Sequence, residues 1–176
     1  TDHGNTWNAA NTGIGNNPVS SLVKIGNNFF ASTQSAGVFI SINNGSSWSP
    51  VNNGISNLTI HSLMSDGTNL FAGADSGYVY FSTNNGNSWV LVNNGLPNLP
   101  IKALVKVASN IFAGTSGDGV YVSANNGANW TASNNGILNP QVLYMNTYGN
   151  NLFACTHNAG IYHSTNNGNT WNLIYN

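Results

Sequence analysis

The chain alternates short apolar stretches with turn signals rich in glycine, asparagine and proline. In one representative part, apolar stretches begin at Thr59 (TIHSLMSD), Asn69 (NLFAGA), Tyr78 (YVYFST) and Ser88 (SWVLVN). Stretches of this length, bounded by such turns, are typical of β-strands. No stretch carries a helical period long enough to form a helix. The pattern therefore predicts an all-β protein.

The same pattern recurs every 41 residues along the chain. The step relates tryptophans, phenylalanines and glycines at fixed places in each copy: Trp7, Trp48, Trp89, Trp130 and Trp171; Phe30, Phe71, Phe112 and Phe153; Gly13, Gly54, Gly95 and Gly136. A repeat this strict indicates one supersecondary unit copied in tandem.

Several predicted strands are apolar on both faces, and YVYF at residues 78–81 is the clearest. A sheet with both faces buried must pack between two others. Four-stranded sheets of about 40 residues, stacked face to face, form the blades of a β-propeller. A β-solenoid is the alternative, although its repeats are usually shorter. We therefore expect an all-β propeller with four four-stranded antiparallel blades of 41 residues each.

The repeat also sets the expected boundaries within residues 1–176, taken as one propeller domain or propeller segment. Full blades are predicted at about 18–53, 57–94, 98–135 and 139–176, with an extra N-terminal outer strand at 1–13. That strand belongs to a blade whose first three strands are missing. Either the chain is a segment of a longer propeller, or the extra strand helps to close a ring by competing with the last strand of blade 4. We favour a segment, or a unit that assembles with a second chain.

An eight-residue phrase, which we call the box, ends at each tryptophan. Its copies are SINNGSSW (41–48), STNNGNSW (82–89), SANNGANW (123–130) and STNNGNTW (164–171), with a clipped copy, TDHGNTW, at the start. The box resembles the Asp-box, or BNR repeat, of sialidase-like β-propellers, whose pattern is Ser-x-Asp-x-Gly-x-Thr-Trp. The resemblance covers the whole chain. It departs at the acidic position, which is Asp2 in the clipped copy and asparagine in the others: Asn43, Asn84, Asn125 and Asn166.

The resemblance implies that each box forms the hairpin between the third and fourth strands of a blade. Asparagine supplies the same side-chain oxygen as aspartate for backbone N–H groups in the turn. Glycine permits the positive φ that the turn needs. The tryptophan then covers the turn with a large apolar ring. We therefore expect the box residues to hold a shape and not to perform chemistry.

Charge is almost absent from the chain, with 4% charged residues, a formal net charge of −1, and no arginine or glutamate. Without a basic patch we expect no nucleic acid partner. Without a polybasic stretch or an apolar run of about 18 residues we expect no membrane insertion. Asparagine accounts for 35 of the 176 residues, but 40% are hydrophobic at regular positions, which is not the composition of a disordered tract.

The sequence predicts no enzyme and no cofactor. Sialidases of the resembled family bind the substrate carboxylate with an arginine triad, which this chain cannot supply. A retaining glycosidase needs two carboxylates about 5 Å apart. Asp66 is expected on the opposite face from Asp75 and Asp118, and these two lie beside glycine in ordinary turns. The four histidines show no metal-ligand spacing.

One set of loops differs between copies where the rest of the repeat is uniform. These loops join the second and third strands, and their equivalent positions are Gln34, Asp75, Ser116 and His157, with Asp118 nearby. Propellers usually carry ligands on the face that these loops form. The variation fits a surface that is free to differ, or one adapted to a ligand.

These observations favour a non-catalytic module for protein–protein assembly or adhesion, whose partners are other chains or the remainder of a longer propeller. A lectin-like carbohydrate-binding propeller is the alternative, because exposed asparagine, serine and aromatic side chains can bind sugars. A third reading is a non-catalytic part of a larger glycoside hydrolase. The composition is similar in style to secreted and cell-surface proteins of environmental bacteria, notably Bacteroidetes. We therefore expect an extracellular or cell-surface location in a bacterium.

Overall fold

The structure, a computed structural model, describes residues 3–175 and contains four separate four-stranded antiparallel sheets. In each sheet the strands lie in chain order. Blades 1 and 2 comprise β1 (Val19–Ile25), β2 (Asn28–Thr33), β3 (Val38–Ser41), β4 (Ser49–Pro50), β5 (Ile60–Ser65), β6 (Leu70–Ala74), β7 (Val79–Ser82) and β8 (Val90–Leu91). Blades 3 and 4 comprise β9 (Ile101–Val107), β10 (Asn110–Thr115), β11 (Val120–Ser123), β12 (Thr131–Ala132), β13 (Val142–Tyr148), β14 (Asn151–Thr156), β15 (Gly160–Ser164) and β16 (Asn172–Tyr175).

These sheets confirm the predicted all-β propeller blades. The first strands of successive blades contact one another and form the inner layer, whereas the fourth strands lie at the rim. One short 3-10 turn, Asp75–Gly77, interrupts the loop between β6 and β7. The rim strands β4, β8 and β12 are only two residues long, because the box turn and the following Asn-Asn-Gly turn leave little extended chain between them.

Three hydrophobic clusters join neighbouring blades in sequence: blade 1 to 2, blade 2 to 3, and blade 3 to 4. A fourth, smaller cluster places Ile14 against Ala31 and Phe39 of blade 1. Among the described residues, none of these clusters joins blade 4 back to blade 1. The four blades are therefore a partial propeller whose two terminal blades each have one uncovered side.

The extra outer strand predicted at residues 1–13 is not formed in its described part, since residues 5–11 have no strand assignment. The physical reason is that no third strand lies beside this segment to pair with it. Its backbone nevertheless takes the place of a preceding outer strand, because Ala10 accepts a hydrogen bond from the Trp48 indole at 2.9 Å. Asp2 lies outside the described residues.

Equivalent side chains reveal the two uncovered sides. Phe30, Phe71 and Phe112 are completely buried, but Phe153 is only half-buried because no blade follows blade 4. At the other end, Leu22 is 58% exposed, whereas the equivalent Leu63 is 5% exposed. We call the uncovered side of blade 1 (Val19, Leu22) the leading face. The uncovered side of blade 4 (Tyr148, Phe153, Ile174) is the trailing face.

Candidate functional site

Each box is held by the same internal hydrogen bonds. In the second box, the Asn84 Oδ1 atom accepts the Ser88 backbone N–H at 2.9 Å and the Ser82 hydroxyl at 3.0 Å. Ser82 Oγ in turn accepts the Gly86 N–H at 3.0 Å. The Asn84 amide also donates to the Ser88 hydroxyl at 2.9 Å, which a carboxylate could not do. The box asparagines Asn43, Asn125 and Asn166 likewise accept the backbone N–H four residues on.

The third box differs at its seventh position, where Asn129 replaces serine or threonine. Asn129 keeps the backbone hydrogen bond to Asn125 Oδ1 at 2.9 Å. Its side-chain oxygen accepts from Asn94 of the preceding blade's last turn at 2.6 Å. The substitution therefore exchanges a bond within the turn for one between neighbouring blades.

The box tryptophans connect one blade to the one before it, a contact that sequence reasoning missed. The Trp89 indole N–H donates to the Val51 carbonyl at 2.8 Å, and its backbone N–H donates to Asn53 at 2.9 Å. Trp130 and Trp171 repeat the indole contact with Val92 and Ser133. The tryptophan and the glycine recur with the same 41-residue step, and they meet at this junction. Their joint recurrence could have predicted the contact between blades.

Only part of the predicted ligand-face set converges. Gln34 lines a cavity of about 380 Å³ between the inner strands of the four blades, together with Val19, Ser20, His61, Lys102, Leu143 and Tyr144. Asp75 lies behind that wall and bonds to His61. All four loop positions make an equivalent backbone N–H hydrogen bond to the carbonyl just before the inner strand, and Ser116 and His157 are not part of the cavity lining.

Asp118 is engaged in a local contact and does not join the cavity lining. The Tyr121 hydroxyl donates to Asp118 Oδ2 at 2.5 Å. Burial, together with this hydrogen bond and the nearby negative charge, raises the pKa of Tyr121 to about 12. The contact holds the loop between β10 and β11 against its own third strand.

A β-bulge at the start of every inner strand delivers one side chain to the cavity. In each blade the pairing register skips one residue: Ser20, His61, Lys102 and Leu143. Bulges commonly re-aim a side chain near functional sites. These four positions are related by the 41-residue step and carry four different residue types. Comparing the repeats position by position could have found them, as it found the loop set containing Gln34.

The polar side chains of the cavity wall are centred on His61 and Lys102, and Asp75 supports His61 from behind the wall. His61 Nε2 lies 2.6 Å from Asp75 Oδ1, so this nitrogen carries the proton and donates it. Lys102 Nζ lies 3.4 Å from His61 Nδ1 and 3.2 Å from Nε2. The carboxylate thus fixes the orientation of the imidazole, and the imidazole in turn lies against the ammonium.

Asp66 forms a separate ion pair at the other end of the inner strands. Burial would raise the pKa of Asp66, but hydrogen bonds from Asn69, Thr68 and Lys106 outweigh it and lower the pKa to about 2. The Lys106 ammonium lies 3.1 Å from Asp66 Oδ2. Asp66, Asp75 and Asp118 therefore have three different partners, and no two of them share one.

The described residues contain neither a cluster of metal ligands nor a membrane-spanning helix. Within residues 3–175, no three His, Cys, Asp or Glu side chains converge as a metal site would require. No helix in the same residues has the length and apolar character needed to cross a membrane.

The repeated sheets and their stacked packing define a β-propeller. The family model of the DUF6242 beta propeller domain matches residues 1–109 and, in a second match, 70–175. The chain therefore belongs to the DUF6242 beta propeller domain family. No curated protein matches it.

Three of the solved structures with the same fold are much longer chains. An ancestral GH74 enzyme matches with a TM-score of 0.73 and 23% identity, over 90% of this chain and 24% of that one. The GH74 xyloglucanase from Xanthomonas campestris has a TM-score of 0.73 and 14% identity, over 96% of this chain and 32% of that one. The extracellular domain of BT4673 from B. thetaiotaomicron, described as a hybrid two component system, has a TM-score of 0.75 and 17% identity, over 93% and 22%. At these identities the likeness concerns the fold alone.

Proposed function

We propose that the chain is a non-catalytic assembly module, secreted or displayed at a bacterial cell surface. Its leading and trailing faces each pack against a further blade of the same kind of repeat. The partner blades belong to a longer propeller or to a second chain. The packing mode is that of the three blade junctions within the chain.

The observation that carries this proposal is the unequal burial of equivalent residues. Phe153 occupies the place at which Phe30, Phe71 and Phe112 are completely buried by the next blade. Ile174 is 53% exposed, whereas the equivalent Ser133 is covered by Trp171 of the following blade. Burying such apolar surface is worth about 25 cal/mol per Å². Covering these side chains is therefore the main gain available from a further blade.

The similar solved structures support the proposal without testing it. This chain spans between 22% and 32% of the three described above, which is the relation expected of a propeller segment. One of the three is an extracellular domain, which supports the proposed location. An uncovered edge strand such as β16 also invites pairing with another chain.

A second copy of the chain is the direct probe of this assembly, because its leading face has the same chemistry as the junctions already formed. We expect the mass measured by sedimentation to rise with protein concentration. Leu22→Asp should block association through the leading face, and Ile174→Asp should block it through the trailing face. The matched control is Leu138→Asp, since Leu138 is exposed in the loop between blades 3 and 4 and lies on neither face.

The two variants also complement each other. A Leu22→Asp copy keeps an intact trailing face, and an Ile174→Asp copy keeps an intact leading face, so their mixture should form dimers but no larger species. A chain that stays monomeric at every concentration would refute self-association through these faces. The same holds if the Leu138→Asp control behaves like the two face variants.

Both copies bring an outer strand to the new junction. Residues 8–11 are equivalent to 172–175 in the repeat. In the single chain β16 already pairs with β15, whereas residues 8–11 form no strand. We therefore expect β16 to keep its place and the incoming segment 8–11 to be displaced, which would appear as faster amide exchange in that segment.

Carbohydrate binding is a second candidate, favoured by one observation. Tyr144 is 72% exposed on the wall of the cavity, close to Gln34, His61 and Lys102. An exposed aromatic ring beside hydrogen-bonding side chains is a suitable surface for stacking on a sugar ring. A glycan array compared between the native chain and Tyr144→Ala tests it: binding that Tyr144→Ala removes supports the candidate, and absence of any glycan signal rejects it.

A further inference from the structure

Among the described residues, Lys102 is the lysine that lines a cavity and has no carboxylate partner. Lys106 pairs with Asp66 at 3.1 Å. Lys24 lies over the Phe29 ring, 5.4 Å from its centroid, on a strand exposed to solvent. Lys102 is half-buried, lines the cavity, and contacts the two ring nitrogens of His61. In a chain with 4% charged residues, this is an ammonium in a cavity without a counter-charge in contact.

The surroundings of Lys102 hold it in place and leave its charge available. Asp75 bonds to His61 Nε2, is not part of the cavity wall, and forms no ion pair with Lys102. Because His61 Nε2 donates to Asp75, Nδ1 is left as an acceptor for one N–H of the ammonium. The remaining N–H groups of Lys102 stay available to a ligand. His61 and Asp75 are therefore positioning residues for Lys102.

The rest of the cavity wall offers one amide and one aromatic ring. Gln34 is exposed in the loop between β2 and β3 and can donate through its side-chain amide. Tyr144 presents its ring from β13 on the opposite side of the cavity. Leu143 and Val19 supply apolar contact beside it. The combination is one cationic donor, one neutral donor and one flat apolar surface.

We propose that this cavity binds a ligand carboxylate through Lys102 and Gln34, with Tyr144 stacking on the group that carries it. A uronic acid residue of a saccharide is the ligand that this combination fits best, because its ring can lie on Tyr144 while its carboxylate reaches Lys102. The inference gives the carbohydrate-binding candidate a ligand class. It rests on the cavity of the single chain, which shares Val19 with the leading face.

Calorimetric titration of the full chain with three small ligands tests the proposal. We expect digalacturonate to bind, and to bind more weakly as sodium chloride is raised, because an ion pair at a partly exposed site is screened by salt. Galactobiose, its neutral counterpart, should bind at least about tenfold more weakly, since a charge-assisted hydrogen bond is lost. Succinate supplies a carboxylate without a sugar ring and should also bind more weakly than digalacturonate.

Variants assign the binding to the cavity. Lys102→Gln should weaken digalacturonate binding by about ten- to hundredfold, which is the usual worth of one hydrogen bond to a charged group. Lys24→Gln is the control, because it removes the same charge from an inner strand that does not bring Lys24 into the cavity lining. Tyr144→Ala should weaken digalacturonate binding and leave succinate binding unchanged.

Each outcome decides part of the proposal. Absence of digalacturonate binding, equal binding of galactobiose, or equal effects of Lys102→Gln and Lys24→Gln would overturn it. Equal binding of succinate and digalacturonate would support a carboxylate site and reject the saccharide. Binding of galactobiose that Tyr144→Ala removes, with no preference for the acid, would support carbohydrate binding while rejecting the carboxylate site. Measuring the native mass of each sample shows whether the chain has assembled, independently of whether it binds the ligand.

Discussion

The indole N–H of Trp89 donates to the carbonyl oxygen of Val51 at 2.8 Å. Val51 lies 38 residues earlier and directly follows β4, the outer strand of the preceding blade. Trp89 is therefore a residue of blade 2 whose polar atom is satisfied by blade 1. The contact recurs at Trp130 and Trp171 with Val92 and Ser133. The box thus has two structural roles, because it forms its own hairpin and fixes the rim of each blade to its neighbour.

Replacing Trp89 should therefore be costly. Trp89 is almost completely buried, so Trp89→Ala leaves a cavity and an unpaired carbonyl, with an expected loss of about 3–5 kcal/mol in the free energy of unfolding. The control is Trp7→Ala, because Trp7 is 90% exposed and its loss should change stability by no more than about 0.5 kcal/mol. Urea denaturation measures both. A loss below about 1 kcal/mol for Trp89→Ala would contradict its packing role.

Gly54 should tolerate no side chain. Its φ is +93°, and a Cβ atom there would lie 2.2 Å from the Trp89 carbonyl oxygen. Gly67 has a similar φ of +96° but nothing within 4 Å of the added atom. We expect Gly67→Ala to cost about 1 kcal/mol from backbone strain alone, and Gly54→Ala to cost about 2–5 kcal/mol from strain and overpacking. Thermal or urea unfolding measures both variants. An equal loss of stability in Gly54→Ala and Gly67→Ala would show that the blade junction can rearrange to accommodate the added methyl group.

The box asparagine should be replaceable by aspartate but not by alanine. Asn84→Ala removes the acceptor for both Ser82 and Ser88, with an expected loss of about 1–2 kcal/mol. Asn84→Asp keeps that acceptor, and the Ser88 hydroxyl can rotate to donate to the carboxylate. We therefore expect a change within about 0.5 kcal/mol at neutral pH. A large loss for Asn84→Asp would mean that the amide donor is essential to the turn.

Asp66 should make stability depend on acidity. Its pKa is about 2 in the folded chain against an ordinary value of 3.8. A carboxyl whose folded pKa is lowered stabilises the fold above the unfolded value, and the gain is lost as pH falls from about 4 towards 2. The shift corresponds to about 2 kcal/mol. The free energy of unfolding should fall between pH 5 and pH 2, and this fall should be smaller by about 2 kcal/mol in Asp66→Asn than in the native chain. An equal fall in both proteins would exclude Asp66 as the cause.

Much of the fold followed from local pattern. The stretches beginning at Thr59, Asn69 and Tyr78 correspond to β5, β6 and β7 within one or two residues. The alternation of apolar runs with Asn-Gly turns decides these strands, and the 41-residue step decides that the blades are alike. The prediction of an extra strand at residues 1–13 was wrong for a non-local reason, because a strand forms only where a neighbouring strand offers hydrogen-bonding groups.

The candidate site was harder to predict because its residues come from different blades and meet only when the blades pack around the propeller axis. Gln34 and Asp75 were found by comparing equivalent loop positions. His61 and Lys102 were missed, because each lies in an ordinary strand sequence. Each reaches the cavity through a β-bulge, and no glycine or other turn residue marks that bulge in the sequence. The Trp89 contact with Val51 was missed for a similar reason, since every residue has a backbone carbonyl and the amino-acid type does not show which one accepts a hydrogen bond.

The three internal junctions rest on the same tryptophan and glycine pair in each copy. Gain or loss of one complete 41-residue unit would consequently leave every surviving junction unchanged. Recombination between such similar coding segments can therefore lengthen or shorten the array without a folding penalty at the point of exchange. The evolution of blade number is then limited by what the terminal blades meet, and the individual blade is the unit that selection can duplicate.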